Sequence, residues 1–153
     1  MDVNHVNPFM ESFLNVMPQL GFSTVEKGKL SVKGKDLLSS GVIIIVGIVG
    51  AIKGNIVYSI DIEDAKKIAS TMMMGMPVDE LNDIAQSALS ELTNMLTANA
   101  ATRFSSLGIL IDISTPTLLH GNNIALKMSS NQVLCIQLLA DNIPIEVNIA
   151  FDN

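Results

Sequence analysis

The feature that most constrains the fold is an apolar run, residues 41–52, that is about a dozen residues long and contains three glycines. A helix that spans a bilayer needs about 20 apolar residues, so this run is too short to cross a membrane. Its β-branched side chains are typical of a buried strand. Because the chain has 153 residues, of which 48% are hydrophobic, we expect one globular domain over residues 1–153 with a single core.

Charge and composition exclude several classes of function. The formal net charge of −6 has the wrong sign for binding nucleic acid. Residues 1–7 do not form a basic and then apolar leader, which predicts a cytoplasmic protein. Cys135 lies in an apolar run and is predicted to be a buried hydrophobic side chain. His5 and His120 have no cysteine or carboxylate at metal-ligand spacing, so no metal site is expected, and His120 beside Gly121 is predicted to lie in a turn.

Hydrophobic periodicity predicts three helices, over residues 7–20, 61–74 and 79–106. Asp61 is expected to cap the second helix, together with Asp64, and the methionines near its end are expected to fill the core. Strands are predicted over residues 29–35, 41–51, 55–61, 109–119 with a break at Pro116, 124–128, 133–140 and 145–151.

The order of these elements suggests a repeat. The first helix runs into Leu20-Gly21-Phe22 and the third into Leu107-Gly108-Ile109, and strands follow each junction. Short junctions of this kind also arise by chance, so the repeat stays open at this point. The predicted fold class is α+β, with long helices packed on a mostly antiparallel sheet and a possible internal duplication of a helix-plus-strands unit.

The third predicted helix carries the candidate chemistry. A turn of about 100° per residue gathers its apolar side chains on one face, which is expected to face the core: Ile84, Ala85, Ala88, Leu89, Leu92, Met95 and Leu96. On another face Glu91 and Asn94 point within about 60° of each other. An acid and an amide at this spacing most often only solvate a helix. However, Thr93, Asn94 and Thr97 are middling helix formers in mid-helix, which indicates that something holds them there.

The string at residues 87–95 resembles the E-x-x-N helix of the CheX/CheC/FliY family of chemotaxis phosphatases. The resemblance extends to the Asn7-Pro8-Phe9 start of the first helix and to residues 54–58 and 64–75. Some members of the family look as though they carry two such helices. Here the first helix reads Glu11-Ser12-Phe13-Leu14, with leucine in place of the asparagine, so one motif remains and the CheX branch is favoured.

The resemblance implies a CheC-like domain that hydrolyses the aspartyl phosphate of a CheY-like response regulator. In that reading Asn94 orients the attacking water, since an amide can both donate and accept, and Glu91 docks on the regulator's active-site lysine. The regulator supplies Mg²⁺, this chain binds no cofactor, and a homodimer is expected. Small residues beside the pair are expected to contact the partner: Ser87, Ser90, Thr97 and Ala98.

Two other classes of function remain open from the sequence. The chain could be a CheX-like binding module that docks a signalling protein without hydrolysis. It could also be a dimerisation domain that pairs through sheet edges, for which the apolar strands of the second half are candidates. A dephosphorylation assay separates an enzyme from both.

Overall fold

The fold is a seven-stranded antiparallel sheet with two long helices packed on one face. The computed structural model describes residues 3–152. After a 3₁₀ turn at Val3–Val6, the elements are α1 (Asn7–Gln19), β1 (Val25–Lys33), β2 (Asp36–Gly50), β3 (Gly54–Ile60), α2 (Ile62–Met72), α3 (Asp83–Ser106), β4 (Ile111–Ile113), β5 (Thr117–Lys127), β6 (Val133–Ala140) and β7 (Ile143–Phe151). The predicted α+β class is confirmed.

The strand order reads alike from both ends of the sheet. The order is β1-β6-β7-β3-β2-β4, and β5 also pairs with β2, beside β4 along the same edge. Exchanging β1 with β5, β2 with β6 and β3 with β7 turns each of five strand pairs into another observed pair or into itself, with β3–β7 at the centre; the short β2–β4 pair has no counterpart. This arrangement supports the internal duplication that the junctions suggested.

The two long helices match at a fixed offset. At the end of α1 the amides of Leu20 and Phe22 both donate to Met17 O; at the end of α3 the amides of Leu107 and Ile109 both donate to Phe104 O. The matching residues are 87 positions apart (20 to 107). Gly21 and Gly108 close the helices with φ of 106° and 80°, a conformation that glycine adopts without strain. At the same offset four pairs of positions are buried in both helices: Val6 with Thr93, Phe9 with Leu96, Phe13 with Ala100, and Met17 with Phe104.

The main core lies between the helices and the sheet. The Ser12 hydroxyl of α1 donates to Leu96 O of α3 across 2.6 Å, and Arg103 pairs with Glu11 at 3.4 Å. The opposite face of the sheet carries a smaller apolar cluster. The pairing of β2 with β5 is irregular between Ser39 and Gly41. The two helices are therefore fixed to each other and to one side of the sheet.

The start of α3 differs from the prediction. The helix begins at Asp83 rather than Asp79, because the Asn82 side chain accepts from the Ala85 amide at 2.9 Å and so caps it. Ile84, which was expected in the core, is 64% exposed. In α2 the expected cap is also wrong, since Asp61 occupies the N-cap position but makes no side-chain cap hydrogen bond.

Methionine burial after α2 also differs from expectation. Met72 is partly buried and packs on the core, but Met74 is 96% and Met76 60% exposed. Met74 and Gly75 have φ of 60° and 87°, and Met76 lies in the connection to α3, so the chain leaves the core before the last two methionines.

In the sheet, the turn expected at His120 is wrong, and the edge expected from the second-half strands is limited to two of them. Residues 117–127 form one strand, β5, in which His120 pairs with Val42; Asn122 and Asn123 do not end the strand. Of the second-half strands, β6 and β7 lie inside the sheet, so only β4 and β5 could offer an edge to another copy. In the first half, β1 begins at Val25, earlier than predicted, and forms the opposite edge.

Candidate active site

The solvent side of α3 carries a line of side chains that we call the α3 ridge: Ile84, Ser87, Glu91, Asn94 and Ala98. Four of the five are exposed and Asn94 is half-buried. At about 100° per residue, all five lie opposite the buried face formed by Leu89, Leu92 and Leu96. The expectation that Glu91 and Asn94 point outward together is therefore consistent with the fold.

Three residues of the ridge, Ser87, Glu91 and Asn94, help to form one wall of a groove with a volume of about 550 Å³. The other wall comes from the β4–β5 connection and the start of β5. The groove is lined by Asp83, Gln86, Ser87, Ser90, Glu91, Asn94, Thr115, Pro116 and Leu118. Four of these residues, all on α3, are predicted from the sequence; the opposite wall is not, because only the strand pairing brings that connection beside the helix.

The opposite wall is fixed to the sheet by Ser114. Its amide donates to Gly47 O at 2.9 Å, and its hydroxyl accepts from the Gly47 amide at 2.8 Å. The same hydroxyl donates to Thr115 O at 3.1 Å. These bonds hold the turn that places Thr115 and Pro116 across from the ridge.

Thr97 does not belong to the partner-facing surface. It is fully buried, and its hydroxyl donates to Thr93 O at 2.7 Å while it accepts from the Tyr58 hydroxyl at 2.8 Å. Burial raises the pKa of Tyr58 above its ordinary value, so this hydroxyl stays a donor. The expectation that Thr97 contacts a partner is wrong. Thr93 is buried as well, so packing against the sheet, rather than a partner, accounts for both threonines.

The Glu91 and Asn94 side chains keep their hydrogen-bonding groups available. In the part of the chain that the structure describes, neither the Glu91 nor the Asn94 side chain has a hydrogen-bond or ion-pair partner. Asp83 adds a second carboxylate, and the lining residues include no lysine or arginine. Gln86 is engaged, since its Nε2 donates to Leu81 O at 2.8 Å. The groove can therefore accept a cation and present a free amide.

Other candidates carry less chemistry. Cys135 is buried, as expected, and burial followed by the nearby Glu146 carboxylate raises the pKa of its thiol. A protonated, buried thiol is a poor nucleophile. Within residues 3–152 no cluster of three histidine, cysteine or acidic residues could hold a metal. No helix in the same range is long and apolar enough to cross a membrane.

The residue of the first half that corresponds to Asn94 differs from the one predicted from the sequence. At the offset of 87 positions fixed by the helix ends (20 to 107), Asn94 corresponds to Asn7 and not to Leu14. Glu91 then corresponds to Asn4, which lies in the 3₁₀ turn before α1. The first half thus has the amide and lacks the acid, and the conclusion that one Glu–Asn pair exists still holds.

Comparison with known proteins identifies relatives of this chain. A family model described as chemotaxis phosphatase CheX matches residues 42–139, which include the whole ridge. The CheY-P phosphatase CheX of Thermotoga maritima is 32% identical over 127 residues, which cover 83% of this chain and 82% of that protein.

Two solved structures share the fold over nearly the full chain. A CheC-like superfamily protein from a Shewanella species is 26% identical, with a TM-score of 0.87 and coverage of 100% of both chains. A chain from the CheX–CheY–BeF₃–Mg²⁺ complex of Borrelia burgdorferi is 27% identical, with a TM-score of 0.84 and coverage of 99% of this chain and 100% of that one.

Proposed function

Because the chain belongs to the CheX family, we propose that it is a phosphatase that removes the aspartyl phosphate from a CheY-like response regulator. The observation that carries the proposal is the outward-facing Glu91–Asn94 pair in a groove whose lining residues include no lysine or arginine. A Thermotoga relative is named as a CheY-P phosphatase, and a Borrelia relative forms a complex with CheY, BeF₃ and Mg²⁺.

Asn94 is proposed to orient the attacking water. The carboxamide oxygen can accept a hydrogen bond from the water while the NH₂ group donates to the phosphoryl oxygens. An amide has no useful proton affinity, so it positions the water in line with phosphorus and does not act as a base. The water oxygen bonds to phosphorus, the bond to the aspartate oxygen breaks, and the products are inorganic phosphate and a free aspartate.

Glu91 is proposed to dock the helix on the regulator. It lies one turn before Asn94, and its exposed carboxylate has no partner of its own in residues 3–152. An ion pair with the regulator's active-site lysine would fix the distance of Asn94 from the phosphorus. Phosphoryl transfer depends mainly on positioning and on charge stabilisation, and the regulator supplies the Mg²⁺. Two side chains from this chain therefore suffice.

Three small residues beside the pair are proposed to let the two surfaces approach. Ser87 and Ala98 are exposed and Ser90 is half-buried, and each has a small side chain. A bulky residue at any of these positions would hold the partner away from Asn94.

The test follows phosphate release from a phosphorylated CheY-type regulator with and without this protein. We expect the wild type to accelerate release and Asn94→Ala to lose at least about 100-fold of that acceleration, because a misplaced water costs about this much. Glu91→Ala is expected to weaken binding of the BeF₃-activated regulator, more so at low salt. A wild type that binds the regulator without accelerating release would instead make this chain a binding module.

We also propose that the protein acts in the cytoplasm as a homodimer that pairs through a sheet edge. Support comes from the edge positions of β1, β4 and β5, where Leu30 and Val32 of β1 are 50% and 63% exposed. Light scattering is expected to give twice the 16.4 kDa chain mass, and a monomer at micromolar concentration would contradict the dimer.

A further inference from the structure

Ile84 is an apolar side chain that the fold does not use. It is 64% exposed in the first turn of α3, although hydrophobic periodicity assigned it to the core. Burial of apolar surface drives folding, so an isoleucine left in water contributes little to the stability of this domain. Single exposed apolar residues are common on protein surfaces, and it is the position of this one that matters.

The position of Ile84 joins it to the proposed active site. It precedes Glu91 by seven residues, which is about two helical turns and about 10 Å along the axis, and it points within about 20° of the same direction. Asp83 and Ser87, which flank it, both line the groove. A protein surface that lies along the ridge over Glu91 and Asn94 therefore also covers Ile84.

Ile84 is also the large aliphatic member of the α3 ridge. The others are Ser87, Glu91, Asn94 and Ala98, which offer hydrogen bonds or small surfaces. An apolar contact adds area from which water is excluded to an interface. Burying Ile84 would thus add apolar contact to a surface that otherwise offers polar and small groups.

We infer that Ile84 is a docking residue for the phosphorylated regulator, and that it contacts an apolar patch about 10 Å from the lysine that pairs with Glu91. This inference rests on the proposed phosphatase function. The occupant of this end of the ridge is the regulator, because Asp83 and Ser87, on either side of Ile84, line the groove that contains Asn94.

The test compares Ile84→Ser with two controls in steady-state dephosphorylation. We expect Ile84→Ser to raise KM for the phosphorylated regulator about tenfold with kcat within about twofold, because it removes contact area and no reacting group. Ile84→Leu is expected to keep KM at the wild-type value. Leu107→Ser removes an aliphatic side chain of similar exposure, 66%, from the opposite end of α3 and is expected to change neither constant.

The outcomes separate this inference from the function on which it rests. If Asn94→Ala abolishes phosphate release while Ile84→Ser leaves KM unchanged, the inference fails and the function stands. The same conclusion follows if Ile84→Ser lowers kcat alone, or if it converts a dimer into a monomer without changing KM, since a second copy would then occupy the site. If the wild type releases no phosphate, the proposed function itself fails.

Discussion

Helices α1 and α3 occupy matching places in the two halves and share several buried positions, but they differ in length and in the side chains on their exposed faces. Helix α3 has 24 residues against 13 for α1, and both end at matching positions. The eleven additional residues of α3 all lie at its start, and they carry Ile84, Ser87 and Glu91. In α1 the corresponding stretch reaches only the 3₁₀ turn at Val3–Val6. The comparison teaches that packing on a shared sheet fixes the inner face of both helices, while the functional face depends on a helical extension present in one.

The largest expected effect separates the two asparagines. Asn94→Ala is expected to lose at least about 100-fold in dephosphorylation rate, whereas Asn7→Ala is expected to stay within about twofold of the wild type, because Asn7 has no acid partner at position 4. Phosphate release under identical conditions measures both. Equal losses in the two variants would mean that the halves act alike, and the comparison would break.

The cores of the two halves are expected to respond alike. Met17 and Phe104 are matching residues with 0% exposure. Replacing either by alanine opens a cavity and is expected to lower the free energy of unfolding by about 3 kcal/mol, measured by urea denaturation. A cost below about 1 kcal/mol for one of the two would show that only one helix is part of the stable core.

A smaller effect is expected at Thr97. Thr97→Val leaves the buried Tyr58 hydroxyl without its acceptor and is expected to lower the free energy of unfolding by about 1–3 kcal/mol, with KM for the regulator unchanged. Thr102→Val is the matched control, because Thr102 also donates to a carbonyl four residues earlier, Ala98 O, but is exposed. Its cost is expected to be within about 0.5 kcal/mol. A rise in KM for Thr97→Val alone would return Thr97 to the docking surface.

Much of this architecture could be predicted because the periodicities are strong. The run that became β2 and the stripe of α1 each point to one structure. The position of Asn94 on the outer face also followed from helical geometry alone. Local pattern was enough wherever the chain buries one continuous face.

The errors arose where distant segments decide the outcome. Thr97 is polar and is predicted on the outer face, but it is buried and its hydroxyl is hydrogen-bonded to Tyr58 of β3. Ile84 is apolar and is predicted in the core, but it is 64% exposed, whereas the neighbouring Ala85 is buried. The strand break predicted at Pro116 is confirmed, since Pro116 lies between β4 and β5, but only the pairing of both strands with β2 places it in a wall of the groove.

Both walls of the groove are fastened to a single hairpin. The helix is held by Tyr58 of β3, the opposite wall is held by Gly47 of β2, and β2 and β3 are hydrogen-bonded to each other. The separation of the walls is thus set by strand spacing, which does not change without breaking the ladder. The cleft therefore keeps a constant width, so it admits only a surface whose shape already fits between the two walls.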